Sequence, residues 1–336
     1  DVESQITAVT EKGLDPRNFI LCTDDCHSGT LVNDGHMNRV VRHAIDCGCD
    51  PLIAIQMATV NTACHFGMER ELGSIAPGRR ADFIVTSSID NLPIDVVFAR
   101  GQRVAENGKL LTKCPHYEWP QTVRETVNLG KRLELKDFEI SAPVGLSSVK
   151  AKVIGVIENQ APTEALEFDL PVKQGKVQVE GDVCYLSLVE RHRGTGAVVN
   201  GFVSGFGYSG SMAIASSVAH DSHHMIVVGT NHEMMASAAN RLGEVGGGVT
   251  LWKDGSEVAL VELPIAGLMS DIEASEVALK TQNIVQAMTD CGCNLNNAYM
   301  QHTLLALVVI PELRISDLGL VDVNRFELTE VISSKP

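Results

Sequence analysis

Residues 18–27, Asn-Phe-Ile-Leu-Cys-Thr-Asp-Asp-Cys-His, hold the most suggestive chemistry in the chain. An apolar run ends in two adjacent carboxylates, Asp24 and Asp25, with His27 just beyond. Carboxylates at the C-terminal end of a buried strand sit where α/β enzymes keep their reacting groups. Such groups can move protons or ligate a metal. Side chains alternate across a strand, so only one of the two aspartates can face a common site. The plain alternative is that both cap the turn that follows, as aspartate commonly does. His27, in a polar loop, could reach the same site or simply be solvated.

A second grouping, His220-Asp221-Ser222-His223-His224, is the densest set of metal-ligating residue types in the sequence. It lies between two strand-like runs and is expected to be a loop at strand ends. Imidazole with carboxylate suits a divalent transition metal. His220, Asp221 and His223 could thus form an additional metal site or part of an active-site rim. A polar turn whose Asp and Ser cap neighbouring backbone explains the same residues. His36 and His43 share a helix face, which packing or solvent explains equally well. Residues 190–196, Glu-Arg-His-Arg-Gly-Thr-Gly, and the glycines from 201 to 210 lack a Walker-type lysine and precede a strand pattern. They read as tight turns rather than a phosphate cradle.

Elements that position these groups can be read from periodicity. A short helix is expected over 3–13 and a buried strand over 19–23. Helices follow over 37–47 and 52–66, the second opened by Pro51 in its first turn. Both helices are amphipathic and must lie on something apolar. The texture changes at Gly73, where a turn and short strands near 82–85, 95–98 and 102–106 suggest a small β unit. Residues 113–148, with Pro115, Pro120 and Pro143, read as a connector. From 149 onward the pattern is α+β. Strands are expected at 151–157, 183–188, 197–203, 212–218, 225–228, 249–252 and 258–263, and helices near 231–243 and 271–290. No repeat of solenoid length occurs.

The 336 residues carry 27 Lys+Arg against 42 Asp+Glu, a net charge of −15. No basic run interrupts this balance, which argues against nucleic acid or an anionic membrane as partner. No stretch is apolar enough for a membrane-spanning helix. The polar, acidic start without Met gives no signal-peptide pattern and suggests truncation. Nine scattered cysteines read as reduced thiols of a cytoplasmic protein. The two Cys-Gly-Cys runs, at 47–49 and 291–293, follow helical patterns, with glycine where a helix end favours a left-handed residue. No partner Cys/His pair stands at structural-zinc spacing.

The order of motifs resembles the amidohydrolase superfamily. The run 19–25 is similar to strand 8 of its (β/α)8 barrel. Ala58-Thr59-Val60-Asn61-Thr62-Ala63 with Gly67 is similar to the helix that follows. Residues 73–85 resemble the stretch that leaves the barrel to complete a flanking β-sandwich. Tyr208-Ser-Gly, the 218–223 segment, Val-Val-Gly-Thr230 and the run from Leu263 through Gly267 to Asp271 resemble the C-terminal domain of bacterial-type adenine deaminases. At His224 that pattern has Asn.

The resemblance implies four parts. Residues 1–72 would be the end of the barrel (strand 8 and its helices), 73–112 the sandwich segment, 113–148 the connector and 149–336 the α+β domain. It also implies deamination of adenine or a related purine in purine salvage, with a divalent transition metal (Mn, Fe or Zn, binuclear in the complete enzyme). Asp24 would be both metal ligand and proton shuttle. Asp25, His27, His220, Asp221 and His223 would be secondary candidates, and the complete enzyme would be a homo-oligomer. No His-x-His pair occurs among the eleven histidines, so this chain would be an incomplete enzyme, inactive alone. The rival readings are a non-catalytic assembly or remnant domain, or one half of a split enzyme.

Overall fold

The computed structural model describes residues 2–333, except Asp25, Cys114 and His116. The expectation placed on Asp25 lies outside the described residues. The chain divides into two compact units, Asp1–Tyr117 and Glu118–Pro336.

Helices α1 (Val2–Thr10), α2 (Ser28–Asn33), α3 (Met37–Asp46), α4 (Pro51–Ala58) and α5 (Val60–His65) open the first unit. Ile6, Val41, Ala44, Ala54 and Met57 form its core, placing the apolar stripes of α1, α3 and α4 face to face. At the start of α4 the Asp50 carboxylate accepts from the Leu52 and Ile53 N–H groups at 2.9 and 3.2 Å, a side-chain N-cap with Pro51 behind it. The helix expected to run unbroken over 52–66 is instead split at Thr59 (φ −128°, ψ −90°). There the Thr59 hydroxyl donates back to the Ile55 carbonyl at 2.7 Å, a local bond that competes with the helical ladder.

The strand expected at 19–23 does not form. A strand needs a neighbour for its backbone groups, and these residues bond to helices instead. The Leu21 N–H donates to the Met57 carbonyl at 3.2 Å. The Asn61 amide donates to the Pro16 and Phe19 carbonyls, each at 2.8 Å. Downstream, β1 (Phe83–Val85), β2 (Val96–Ala99), β3 (Gln102–Glu106) and β4 (Lys109–Leu110) form an antiparallel meander, with Phe83 stacked on Phe98 at 4.5 Å. The expected sandwich segment is, among the described residues, this single four-stranded sheet.

The second unit begins with α6 (Gln121–Arg124) and is organised by a nine-stranded sheet. Its strands are β5 (Ser148–Val156), β6 (Thr163–Lys173), β7 (Lys176–Val177), β8 (Cys184–Val189), β9 (Val198–Ser204), β10 (Met212–Ser216), β11 (Met225–Gly229), β12 (Gly248–Lys253) and β13 (Ser256–Glu262). Their order is β13-β12-β10-β11-β8-β9-β5-β6-β7. Of these pairings only β5 with β9 is parallel. Alternate residues of the central strands enter two separate cores. On β11, Met225 and Val227 face one core while Ile226 and Val228 face the other. A strand covered on both faces needs apolar residues at every position, which is why these runs read as continuous rather than alternating.

Helix α7 (His232–Val245) covers one face through Met235, Ala238, Ala239 and Leu242. Leu129, Leu133 and Phe138 join that core, so the later part of the expected connector is built into this unit. The other face is covered by α8 (Ala274–Asp290), α9 (Ala298–Leu304) and a three-stranded sheet of β14 (Leu313–Ser316), β15 (Gly319–Asp322) and β16 (Glu327–Thr329). Both Cys-Gly-Cys glycines take the left-handed conformation expected of them, with φ of 90° at Gly48 and 100° at Gly292.

Between β8 and β9 the Glu190 carboxylate closes a turn on itself. It accepts from the N–H groups of His192, Arg193 and Thr195 at 2.5, 2.8 and 3.0 Å, and from the Thr195 hydroxyl at 3.0 Å. Burial pushes its pKa up, but those donors outweigh burial and hold it at about 2. The backbone donors that an external anion would need are therefore already engaged.

Three outcomes are expected. Limited proteolysis should leave a resistant core beginning near residue 118, because the second unit closes both faces of its sheet; equal protection of the first unit would contradict this. Asn61→Ala should cost about 1–3 kcal/mol and speed amide exchange over residues 16–24; unchanged exchange there would show that Asn61 does not hold the segment. Glu190 has a folded pKa below its unfolded value, so its stabilisation is present above pH 4.5 and is lost as pH falls towards 2. Glu190→Gln should flatten the urea-midpoint profile in that window, and a profile identical to wild type would refute the assignment.

Candidate functional site

In the first unit, Asp24 is exposed and His27 half-buried. Asp24 ends the extended segment that Asn61 ties down, and His27 stands at the N-cap of α2 without a side-chain cap bond. A groove of 530 Å³ runs between α4–α5 and β1, lined by Ile55, Thr62, Phe66, Ile75 and Phe83. Asp82 is its one charged lining residue, and that carboxylate accepts the Arg100 N–H at 2.6 Å. The groove offers shape rather than acid–base chemistry, and Asp24 does not line it.

Residues 219–224 of the second unit form the expected loop between β10 and β11. Its main chain is fixed at several points. The His220 N–H donates to the Thr303 carbonyl at 3.0 Å, and the His223 N–H donates to the Ala219 carbonyl at 2.7 Å. His223 Nδ1 accepts from the Ala219 N–H at 3.2 Å, and the His220 and His223 rings meet edge to face at 5.3 Å. His192 Nε2 lies 2.9 Å from the Ser222 carbonyl. His224, the position that departs from the resembled pattern, is buried against the His192 ring at 4.7 Å. Its Nε2 is 3.6 Å from Asp317 Oδ2. Burial pulls the His224 pKa below its ordinary value, and His192 beside it adds to that, against the pull of Asp317 and Glu190.

Arg191 holds this arrangement from below. The side chain is 1% exposed. Its Nε donates to the His223 carbonyl at 2.5 Å. One terminal nitrogen reaches the carbonyls of Thr126 at 3.4 Å and Ala266 at 3.2 Å, and the other reaches Ala266 at 3.2 Å. Burial lowers its pKa to about 10, with Glu190 opposing, so it remains a cation at neutral pH. Gly267 admits the fork: a Cβ there would stand 2.7 Å from a guanidinium nitrogen.

Asp24 and His27 therefore belong to the first unit, and His220, Asp221 and His223 to the second. Within the second unit the structure gathers His192, His220, His223 and His224 around one loop. Among the described residues no set of three His, Cys, Asp or Glu side chains could hold a metal ion. Sequence reasoning treated 190–196 only as a turn and missed Glu190, Arg191 and His192 as partners of the loop. The available signal was a charged Glu-Arg-His-Arg run directly after a strand that is apolar but for Ser187.

Comparison with known proteins matches residues 160–327 to the family of the adenine deaminase C-terminal domain and residues 2–104 to the amidohydrolase family. The chain is 72% identical over 334 residues to a protein of Roseobacter denitrificans named adenine deaminase, covering 99% of this chain and 56% of that protein. A Ruegeria pomeroyi protein of the same name is 72% identical over 335 residues, with the same coverage. One from Moorella thermoacetica is 42% identical over 335 residues, again covering 99% of this chain and 56% of that protein. The chain spans about half the length of the curated relatives it matches. It belongs to the family defined by the adenine deaminase C-terminal domain.

Proposed function

We propose that this chain is part of an adenine deaminase, which converts adenine and water to hypoxanthine and ammonia. The carrying observation is its 72% identity, over 99% of its own length, to proteins named adenine deaminase. The proposed substrate is adenine or a closely related purine, and the proposed setting is a cytoplasmic homo-oligomer. Among the described residues no helix is long and apolar enough to cross a membrane.

Deamination requires water to attack C6 of the purine and the amine to leave protonated. A carboxylate beside the attacking water performs both proton transfers, first as base and then as acid. Asp24 is the residue proposed for this role, on the order of motifs around it and its exposed position at the end of a restrained segment. A divalent transition metal, Mn, Fe or Zn, is proposed for the complete enzyme with Asp24 among its ligands. The described residues of this chain do not themselves fit such a centre. Residues 1–72 are proposed as the end of a (β/α)8 barrel, 73–112 as the flanking sandwich segment and 149–336 as the α+β domain. His27, His220, Asp221 and His223 are proposed as secondary polar groups.

The 56% coverage of the relatives, together with the lack of a metal-binding set among the described residues, favours a second reading, in which this chain is one half of a catalytic whole. The test combines the purified chain with the part of the Roseobacter denitrificans protein outside the matched region, supplies Mn, Fe or Zn, and measures ammonia release from adenine. Turnover is expected on mixing and not from this chain alone. Asp24→Asn should lower it at least about 100-fold. Full turnover by the chain alone would overturn the partial-enzyme reading, and an unimpaired Asp24→Asn mixture would remove Asp24 from the mechanism.

A further inference from the structure

Asn-Gly occurs twice in the chain, at 107–108 and 200–201, and the fold treats the two pairs in opposite ways. Asn107 and Gly108 are exposed and form the two-residue turn between β3 and β4, where Glu106 pairs with Lys109. Both take positive φ, 47° and 74°, the type I′ geometry that such hairpins favour. A Cβ on Gly108 would meet nothing within 4 Å, so that side of the turn is open. The Asn107 N–H donates to the Asp95 carbonyl at 2.8 Å. Among the described residues, neither the Asn107 carboxamide nor the Gly108 N–H has a hydrogen-bond partner.

Asn200 and Gly201 lie instead in β9, inside the nine-stranded sheet. The Ser187 hydroxyl donates to Asn200 Oδ1 at 2.6 Å, and Asn200 Nδ2 donates to the Asp137 carbonyl at 2.9 Å. Gly201 is buried and stands opposite Leu186 of β8. This carboxamide is held through both of its polar atoms, and the glycine beside it cannot move without disturbing a central strand.

We propose that Asn107-Gly108 is a site of spontaneous deamidation, which converts Asn107 to isoaspartate or aspartate and loosens β4. The Gly108 main-chain nitrogen attacks Asn107 Cγ. The N–Cγ bond forms, the Gly108 proton passes to solvent, and the Cγ–Nδ2 bond breaks as ammonia departs with a proton. Water then opens the five-membered imide at either carbonyl. One water is consumed, one ammonia is released, and nothing is oxidised or reduced. Glycine at 108 favours the attack because a side chain there would crowd the nitrogen. The turn must open for that nitrogen to reach Cγ. Because β4 is only Lys109–Leu110, both exposed, this opening is local rather than global. Gln174-Gly175, between β6 and β7, is equally exposed and takes the same turn, with φ of 53° and 74°. Its extra methylene requires a six-membered imide, which closes far more slowly, so Gln174 is an internal control. Isoaspartate adds a carbon to the main chain of a tight turn and a charge next to Glu106, and both oppose the β3–β4 pairing. The reaction involves neither metal nor purine and is independent of the deaminase reading.

The test is to age the purified chain at physiological temperature and mildly alkaline pH in heavy-oxygen water, then to map its peptides by mass spectrometry. The peptide holding Asn107 should show an amide exchanged for an acid with one heavy oxygen, and fragmentation should locate isoaspartate at 107. The peptides holding Asn200 and Gln174 should stay unchanged in the folded chain. In the urea-unfolded chain Asn200 should convert as readily as Asn107, which assigns its protection to the fold. Asn107→Gln should abolish the product and keep the Leu111 amide protected by its 2.8 Å bond to the Val104 carbonyl. In the converted wild-type fraction that protection should be lost. The proposal is overturned by no conversion at 107 in the folded chain, by conversion at 200 as fast as at 107, or by an Asn200 that stays inert when unfolded. Unchanged Leu111 protection in the converted fraction would overturn the loosening of β4.

Discussion

Removing a guanidinium from water costs several kcal/mol unless its donors are met, and the end of the second unit is arranged around meeting those of Arg191. Carbonyls from the segment after α6, from the 219–224 loop and from the segment after β13 all converge on it. Related bonds reinforce the convergence. The Ala266 N–H donates to the Val123 carbonyl at 2.6 Å, and the Asn128 N–H to the Arg191 carbonyl at 2.8 Å. The Ser217 hydroxyl donates to the Gly267 carbonyl at 2.6 Å. Because the acceptors are main-chain groups, satisfying the cation fixes backbone positions, and through them the side chains displayed at the tip.

That convergence depends on a sheet that cannot slip. β10 and β11 bury every residue, with successive side chains entering opposite cores. A shift of one residue would exchange the two cores' side chains throughout. β8 delivers Glu190 and Arg191 directly from its end, in register with β11, where Val189 pairs with Met225. The pairing that packs the two cores therefore also brings Arg191 beside the loop preceding Met225. One buried amide follows the same discipline. Asn240 exchanges two hydrogen bonds with the Leu133 backbone, both at 2.9 Å, and burial holds the enclosed His302 imidazole neutral with a pKa of about 3.

The first unit obeys a looser constraint. Asn61 and Met57 take up backbone groups of the 16–21 segment that a strand partner would otherwise take. The segment stays extended without joining a sheet, and Ile20 and Cys22 remain exposed. Asn61 was legible as a motif residue in the sequence, but its work as a backbone clamp was not, because the groups it binds lie more than forty positions away.

Much of the second unit was legible because its strands are apolar on both faces and its main helices are periodic, signals carried by local composition. β6 was not, since Pro171, Glu164, Glu167 and Asp169 speak against a strand locally; it forms because β5 pairs with it along its length. The strand expected at 19–23 failed for the converse reason, an apolar run without a neighbour to complete its hydrogen bonds. The sequence by itself determined the family motifs, the helix ends at Asp50 and the Cys-Gly-Cys glycines, and the chemical types available at Asp24 and at 220–224, because these depend on side-chain identity and near neighbours. Only the tertiary structure decided that Arg191 binds the loop and that His224 is buried beside it. Those outcomes depend on which distant carbonyls converge on a charge that must not be left unpaired.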